Sequence, residues 1–172
     1  MEFLKLASER YSVRKFTDDR IDDATLDKIL SIGHLAPTGC NNQPQRILVI
    51  NSDESIEKLQ KCTKCHFGAK TALLVCYNKD ECWTRKYDGK QSGVADACIV
   101  TTHIMLATHD LGLGSTWVMH FDPFAIRSEF NIPENIEPVA LLVMGYPAPD
   151  SEPIAMHSQF RPIEEVIVKD SF

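Results

Sequence analysis

Two runs in this chain are apolar at nearly every position: Ala72-Leu73-Leu74-Val75-Cys76-Tyr77 and Val139-Ala140-Leu141-Leu142-Val143-Met144-Gly145-Tyr146. A strand with one wet face alternates apolar and polar residues, so runs without alternation belong at the centre of a sheet covered on both sides. The covering layers must come from helices, and the rest of the chain supplies them. From about Val94 to Leu111, the residues Ala97, Val100, Thr101, Ile104, Met105, Thr108 and Leu111 share one helical face. Cys98, Ile99 and Thr102 keep much of the other face weakly polar, which predicts a helix buried nearly all round. Leu26, Ile29, Leu30 and Gly33 stand at i, i+3, i+4 and i+7 and give a second helix, capped by Asp22 or Asp23 and stopped by Pro37.

Shorter signals fill the gaps. Leu4, Leu6 and Ala7 mark a short amphipathic helix ending near Arg10, and Val13 to Phe16 reads as extended. Arg46 to Ile50 and Thr116 to Met119 read as strands; Ser55 to about Leu59 and Pro123 to Phe130 read as short helices. Gly112 suits a left-handed cap on the long helix. Residues 78–92 are polar around Cys82, Trp83 and Tyr87, as in a loop or small lid. The segment from about 147 to 172 is proline-containing, then rich in β-formers at Val166-Ile167-Val168, and reads as an arm that packs elsewhere, such as on a partner subunit. Interleaved strands and helices without repeat or linker make one α/β or α+β domain over 1–172.

The length of 172 residues accommodates one real core, and 44% hydrophobic with 24% charged residues is ordinary for a globular protein. A net charge of -6 without a basic cluster argues against nucleic acid and anionic membranes as partners. The charged start Met1-Glu2-Phe3-Leu4-Lys5 does not resemble a signal peptide, and no apolar run approaches the roughly 18 residues of a membrane span. A cytoplasmic location is expected, with the six cysteines as reduced thiols.

Two motifs carry chemistry. In Arg10-Tyr11-Ser12-Val13-Arg14-Lys15-Phe16, an extended backbone would line Arg10, Ser12 and Arg14 along one side. Two guanidiniums and a hydroxyl suit a phosphate; the alternative is a solvated polar edge. In Pro37-Thr38-Gly39-Cys40-Asn41-Asn42-Gln43-Pro44, the amides and hydroxyl suit the carbonyl-and-nitrogen edge of a heterocycle, and Gly39 permits close backbone approach. The alternative is a helix-to-strand connection made of turn formers. Cys62-Thr63-Lys64-Cys65-His66 has CxxC spacing, but Cys76 lies in a core strand and no second pair follows, so no metal is expected. No nucleophilic triad, Walker loop or dinucleotide glycine motif is present.

Glu9 to Phe16 and Ala36 to Pro44 resemble the two signatures of the FMN-dependent nitroreductase family. Thr101 to Ala107 with Gly112 to Trp117 resembles its central helix and glycine turn, and Arg161 to Val166 its closing element. The matches run in family order along nearly the whole chain. The resemblance implies an α+β fold, a three-layer α/β/α sandwich with a mostly antiparallel central sheet, in an intertwined homodimer with two sites at the interface. It implies FMN as cofactor, with Arg10, Tyr11, Ser12 and Arg14 along the phosphate, ribityl chain and pyrimidine side of the ring, and Arg14 nearest N1–O2. Pro37, Thr38, Gly39, Asn41 and Gln43 would reach the flavin held mainly by the other subunit. Leu113, Gly114 and Ser115 would approach the dimethylbenzene or N5 side, and Arg161 the phosphate.

NAD(P)H would be the transient donor and a nitroaromatic, quinone or related small molecule the acceptor, in ping-pong order. Flavin fragmentation, reductive dehalogenation and electron transfer without small-molecule turnover are the alternatives. The chain departs from the family in lacking a basic residue at Gln159-Phe160 and in its compact segment between Tyr77 and Val94. The expected pocket wall is then Cys40, Trp83, Tyr87 and Phe124.

Overall fold

The computed structural model describes residues 2–172. Its elements, in order, are α1 (Phe3–Glu9), α2 (Asp23–His34), β1 (Gln45–Ile50), α3 (Asp53–Cys62), β2 (Thr71–Asn78), α4 (Gly93–Asp110), β3 (Gly114–Val118), α5 (Pro123–Glu129), β4 (Ile136–Gly145) and α6 (Ile163–Val166). The strands form one sheet in the order β1-β2-β4-β3, and every neighbouring pair is antiparallel.

The two apolar runs, β2 and β4, are the central strands, and their alternating residues feed two cores. Leu73, Val75, Tyr77, Leu142 and Met144 face α2 and α4, where Leu26, Ile29, Ala97, Val100 and Ile104 complete the packing. Ala72, Leu74, Cys76, Leu141 and Val143 face the other way, onto Ile56, Leu59 and Ile126 of α3 and α5. The α+β sandwich follows from this two-sided burial, as the continuous apolar runs require.

Local chemistry sets the helix starts. Asp22 caps α2 by accepting from the Thr25 N–H at 2.9 Å. Ser52 and Ser55 cap α3 reciprocally, so this helix begins before Ser55 and continues to Cys62. Asp122 accepts from the Phe124 and Ala125 N–H groups ahead of α5, with Pro123 in its first turn. Gly112 adopts φ +78° after α4, as a left-handed cap requires.

Two expectations are corrected. α4 is buried on one face only: Val94 and Ile99 are exposed on the side away from the sheet, and Leu111, expected on the inner face, stands exposed just beyond the helix end. In α1 only Leu6 is buried, while Phe3 and Leu4 point outward. In the arm, Val166 closes a single turn of helix, and among the described residues Ile167 and Val168 pair with no strand. Among the described residues, no helix is long and apolar enough to cross a membrane.

Candidate functional site

After α1 the chain lies as a strip across the end of the sheet. The Val13 N–H donates to the Ser115 carbonyl at 3.0 Å, and the Thr116 hydroxyl donates to the Val13 carbonyl. Further along, the Thr17 N–H donates to the Tyr146 carbonyl at 2.9 Å and the Ala148 N–H to the Lys15 carbonyl at 3.0 Å. The strip passes over two glycines that pair with each other across β3 and β4, Gly114 and Gly145. A Cβ on Gly114 would stand 2.4 Å from Val13 Cγ2, and one on Gly145 would stand 3.2 Å from Phe16 Cδ1. The glycines therefore let an extra segment seat directly on the sheet.

With Val13 buried against Gly114, alternation turns Ser12 and Arg14 outward. Arg10 is half-buried and Arg14 exposed, and neither has a carboxylate partner among the described residues. Arg14 donates only to the Ser12 carbonyl, at 3.2 Å. Tyr11 turns to the C-terminal segment: its hydroxyl donates to the Ser151 carbonyl at 3.1 Å, and its ring meets His157 edge-on. Its hydroxyl is thus engaged within the chain. Leu113 is committed to the core, whereas Gly114 and Ser115 are the β3 residues that carry the strip.

The Pro37–Pro44 loop is a tight turn with three side chains in left-handed backbone: Cys40 at φ 50°, Asn41 at 57° and Gln43 at 52°. Such conformations persist where the surroundings over-determine them, and they concentrate at functional sites. The Thr38 hydroxyl accepts from the Gln43 N–H at 3.1 Å, and the Thr38 carbonyl from the Asn41 N–H at 3.0 Å. Cys40, Asn41 and Gln43 present exposed side chains. The Gln43 amide reaches back to the Asn41 carbonyl at 3.3 Å, a structural contact.

Residues 83–92 form a small hairpin. Ser92 N–H donates to the Trp83 carbonyl at 2.8 Å, Arg85 N–H to the Lys90 carbonyl at 2.9 Å, and Thr84 bridges Gln91. Tyr87 is fully exposed near the tip, while Trp83 sits at the base, with its Cβ 3.0 Å from where a Gly39 Cβ would be. The hairpin and the glycine loop therefore adjoin. Phe124 does not join them within one chain, because α5 packs on α3 across the sheet from α2 and α4. Arg161 also stands apart, on the arm, where its ion pair is with Glu165 at 3.6 Å.

One residue at this junction is not singled out by the sequence. Asp96, on the first turns of α4, is 2% exposed and accepts from the Gly39 N–H at 2.8 Å and from the Ser92 hydroxyl at 2.6 Å. The available signal is a single carboxylate on the apolar face of the long helix.

Burial works against the thiolate at Cys62, Cys76 and Cys98. Burial pushes Cys76 up to about 12, and burial also raises Cys62, whose Sγ donates to the Lys58 carbonyl. His109, near the end of α4, has a buried Nε2 without a hydrogen-bond partner. Burial lowers its pKa first, and the neighbouring Arg10 charge adds to this. The unfolded chain then takes up a proton more readily than the folded one. Stability from this group is full above its unfolded pKa of about 6.5 and is lost as pH falls below that towards the lowered folded value. The thermal midpoint is expected to drop more steeply between about pH 7.5 and 5.5 in the wild type than in His109→Gln, and equal slopes would exclude His109 as the cause.

The model of the nitroreductase family matches residues 7–73 and 66–146 of this chain. A crystal structure of a nitroreductase family protein from Clostridium difficile 630 superposes with a TM-score of 0.94 at 42% identity, covering 100% of both chains. Another, from Clostridium novyi NT, gives a TM-score of 0.78 at 27% identity over 87% of each chain. A protein of Archaeoglobus fulgidus, whose name proposes an NADH dehydrogenase or NAD(P)H nitroreductase, is 31% identical over 170 residues, 94% of either chain. The matched stretches include the strip, the glycine loop, the hairpin and the α4–β3 turn, and the chain belongs to the nitroreductase family of oxidoreductases.

Proposed function

We propose that this chain is the subunit of an FMN-dependent oxidoreductase that passes electrons from NAD(P)H to nitroaromatic, quinone or related small acceptors. The observation that carries this reading is the strip Arg10–Arg14, seated on the sheet with two guanidiniums that no carboxylate of the described residues neutralises. A phosphate monoester offers the dianionic, multiply accepting group that such guanidiniums bind best. The donor set fits the whole cofactor: cations and the Ser12 hydroxyl for phosphate and ribityl chain, then amides of the Asn41 loop for the polar ring edge.

When bound, the flavin supplies the electron chemistry. The residues' part is to hold and polarise it. Arg10 and Ser12 would anchor the phosphate end, and Arg161, which stands apart within one chain, would join them only from the arm of a second copy. Arg14 would place its positive charge beside the pyrimidine side of the ring, where it would favour uptake of electrons by the flavin. Pro37, Thr38, Gly39, Asn41 and Gln43 close the site from a second copy, Gly114 and Ser115 back it, and Cys40, Trp83 and Tyr87 border the space over the ring. Donor and acceptor would use that one space in turn, which makes the order ping-pong.

A homodimer is supported by what one chain leaves uncovered. A groove of about 800 Å³ between α1, α2 and α4 is walled by Phe3, Leu6, Ile32, Leu106 and Leu111. The arm beyond Pro147 exposes Phe160, Ile163, Val166 and Phe172. These uncovered apolar residues support a second copy whose arm covers the groove.

Light scattering with FMN titration tests both parts. A dimer holding one yellow FMN per subunit, reduced in stopped flow by NADH or NADPH, is expected, with Arg14→Ala binding FMN more weakly or at a lower potential. A colourless protein that takes up no FMN would overturn the cofactor, and a monomer with full flavin affinity would overturn the shared site.

A further inference from the structure

Asp96 is the one buried carboxylate among the described residues, and no ion pair neutralises it. Burying a carboxylate is costly unless its charge is satisfied, and here a peptide N–H and a hydroxyl satisfy it, one on each oxygen. The two donors belong to different segments. Gly39 is in the loop whose next residues, Cys40, Asn41 and Gln43, take left-handed backbone. Ser92 ends the Trp83 hairpin, and its own N–H holds the Trp83 carbonyl at 2.8 Å. Packing reinforces the link, since a Gly39 Cβ would stand 2.9 Å from Ser92 Oγ and 3.0 Å from Trp83 Cβ. Loop, hairpin and helix thus meet at one side chain.

We infer that Asp96 is a positioning residue that latches the Pro37–Pro44 loop and the Trp83–Ser92 hairpin to α4 as one unit, so that the loop's amides and the Trp83 wall keep a common register over the site. This rests on the proposed flavin reading for its functional consequence, but the latch is a property of the chain. With the Gly39 N–H turned inward to Asp96, the loop presents Asn41 outward. With Ser92 held, the hairpin moves with the loop or not at all.

Hydrogen exchange of the full-length protein, with and without FMN, tests the latch beside FMN titration and acceptor kinetics of Asp96→Ala, Asp96→Asn and Ser92→Ala. In Asp96→Ala, exchange is expected to rise together in residues 38–43 and 83–92 while β2 and β4 stay protected, and the FMN Kd to rise about tenfold, as removal of a charge-assisted bond implies. Asp96→Asn keeps an oxygen for Gly39 and should restore loop protection. Ser92→Ala should loosen the hairpin alone, raising acceptor KM with FMN affinity within about twofold. Unchanged exchange in both segments of Asp96→Ala, or loss of protection spread evenly over the sheet, would overturn the inference. Exchange in the flavin-free protein reads the latch directly, so a wild type that binds no FMN defeats the function without touching this readout.

Discussion

Gly114→Ala is expected to lower the thermal midpoint by several degrees and to weaken cofactor binding at the same time. The new methyl would stand 2.4 Å from Val13 Cγ2, 2.7 Å from its Cβ and 2.9 Å from its Cγ1. Val13 is buried and β-branched, and its N–H and carbonyl are both bound to β3. It has neither a free rotamer nor a free backbone with which to yield. The strip must lift or the sheet must open, and overpacking of this kind costs about 1–3 kcal/mol. For a chain of this size that is roughly 3–10 °C. Because Ser12 and Arg14 ride on the same strip, their alignment goes with it. Val13→Ala in the same background should recover part of the stability, since the two sites touch. A Gly114→Ala protein that melts like the wild type would refute the close seating of the strip.

Arg10→Ala is expected to weaken FMN binding by about 10- to 100-fold, the range expected when a partly buried guanidinium no longer donates to a phosphate. The guanidinium is half-buried with no competing carboxylate among the described residues, so its charge is available to a ligand. Riboflavin is the control. It carries the same ring and ribityl chain without the phosphate, and its affinity should be unchanged. An equal weakening for riboflavin and FMN would mean that Arg10 acts through the fold and not on the phosphate. Arg10→Lys should retain part of the affinity, because a lysine keeps the charge but not the bidentate fork.

Much of the fold is legible in the sequence because its signals are local. β2 and β4 have no polar alternation, which by itself demands cover on both faces, and the structure supplies α2 and α4 on one side and α3 and α5 on the other. Asp22 ahead of α2 and Gly112 behind α4 mark helix ends by backbone chemistry that needs no tertiary partner. The all-round burial expected of α4 fails for a related reason. Its outer residues Val94 and Ile99 are apolar, and composition cannot say whether the cover for them belongs to the same chain or another.

The site is legible in part. Arg10, Ser12, Arg14 and the Asn41 loop stand out by residue type, and the structure leaves Arg14 and the side chains of Asn41 and Gln43 exposed. Phe124 shows what residue type leaves open: an aromatic in a short helix looks the same whichever face of the sheet receives it, and within one chain α5 packs on α3. Asp96 escapes notice because its partner Gly39 lies far away in the sequence, so nothing near Asp96 points to the loop it holds. Ser92 precedes Asp96 by one helical turn, whereas Gly39 comes from the loop before β1.

The amino-acid sequence by itself determined the two-sided sheet, the helices that cover it, and the residue types that suit an anionic, ring-bearing ligand. These depend on periodicity and functional-group chemistry, which are carried within a few consecutive residues. Only the tertiary structure decided that Gly114 and Gly145 pair to seat the N-terminal strip, that Tyr11 serves the tail, and that Asp96 ties the glycine loop to the hairpin. Each of these joins distant segments, and its energy exists only once the sheet has brought them together.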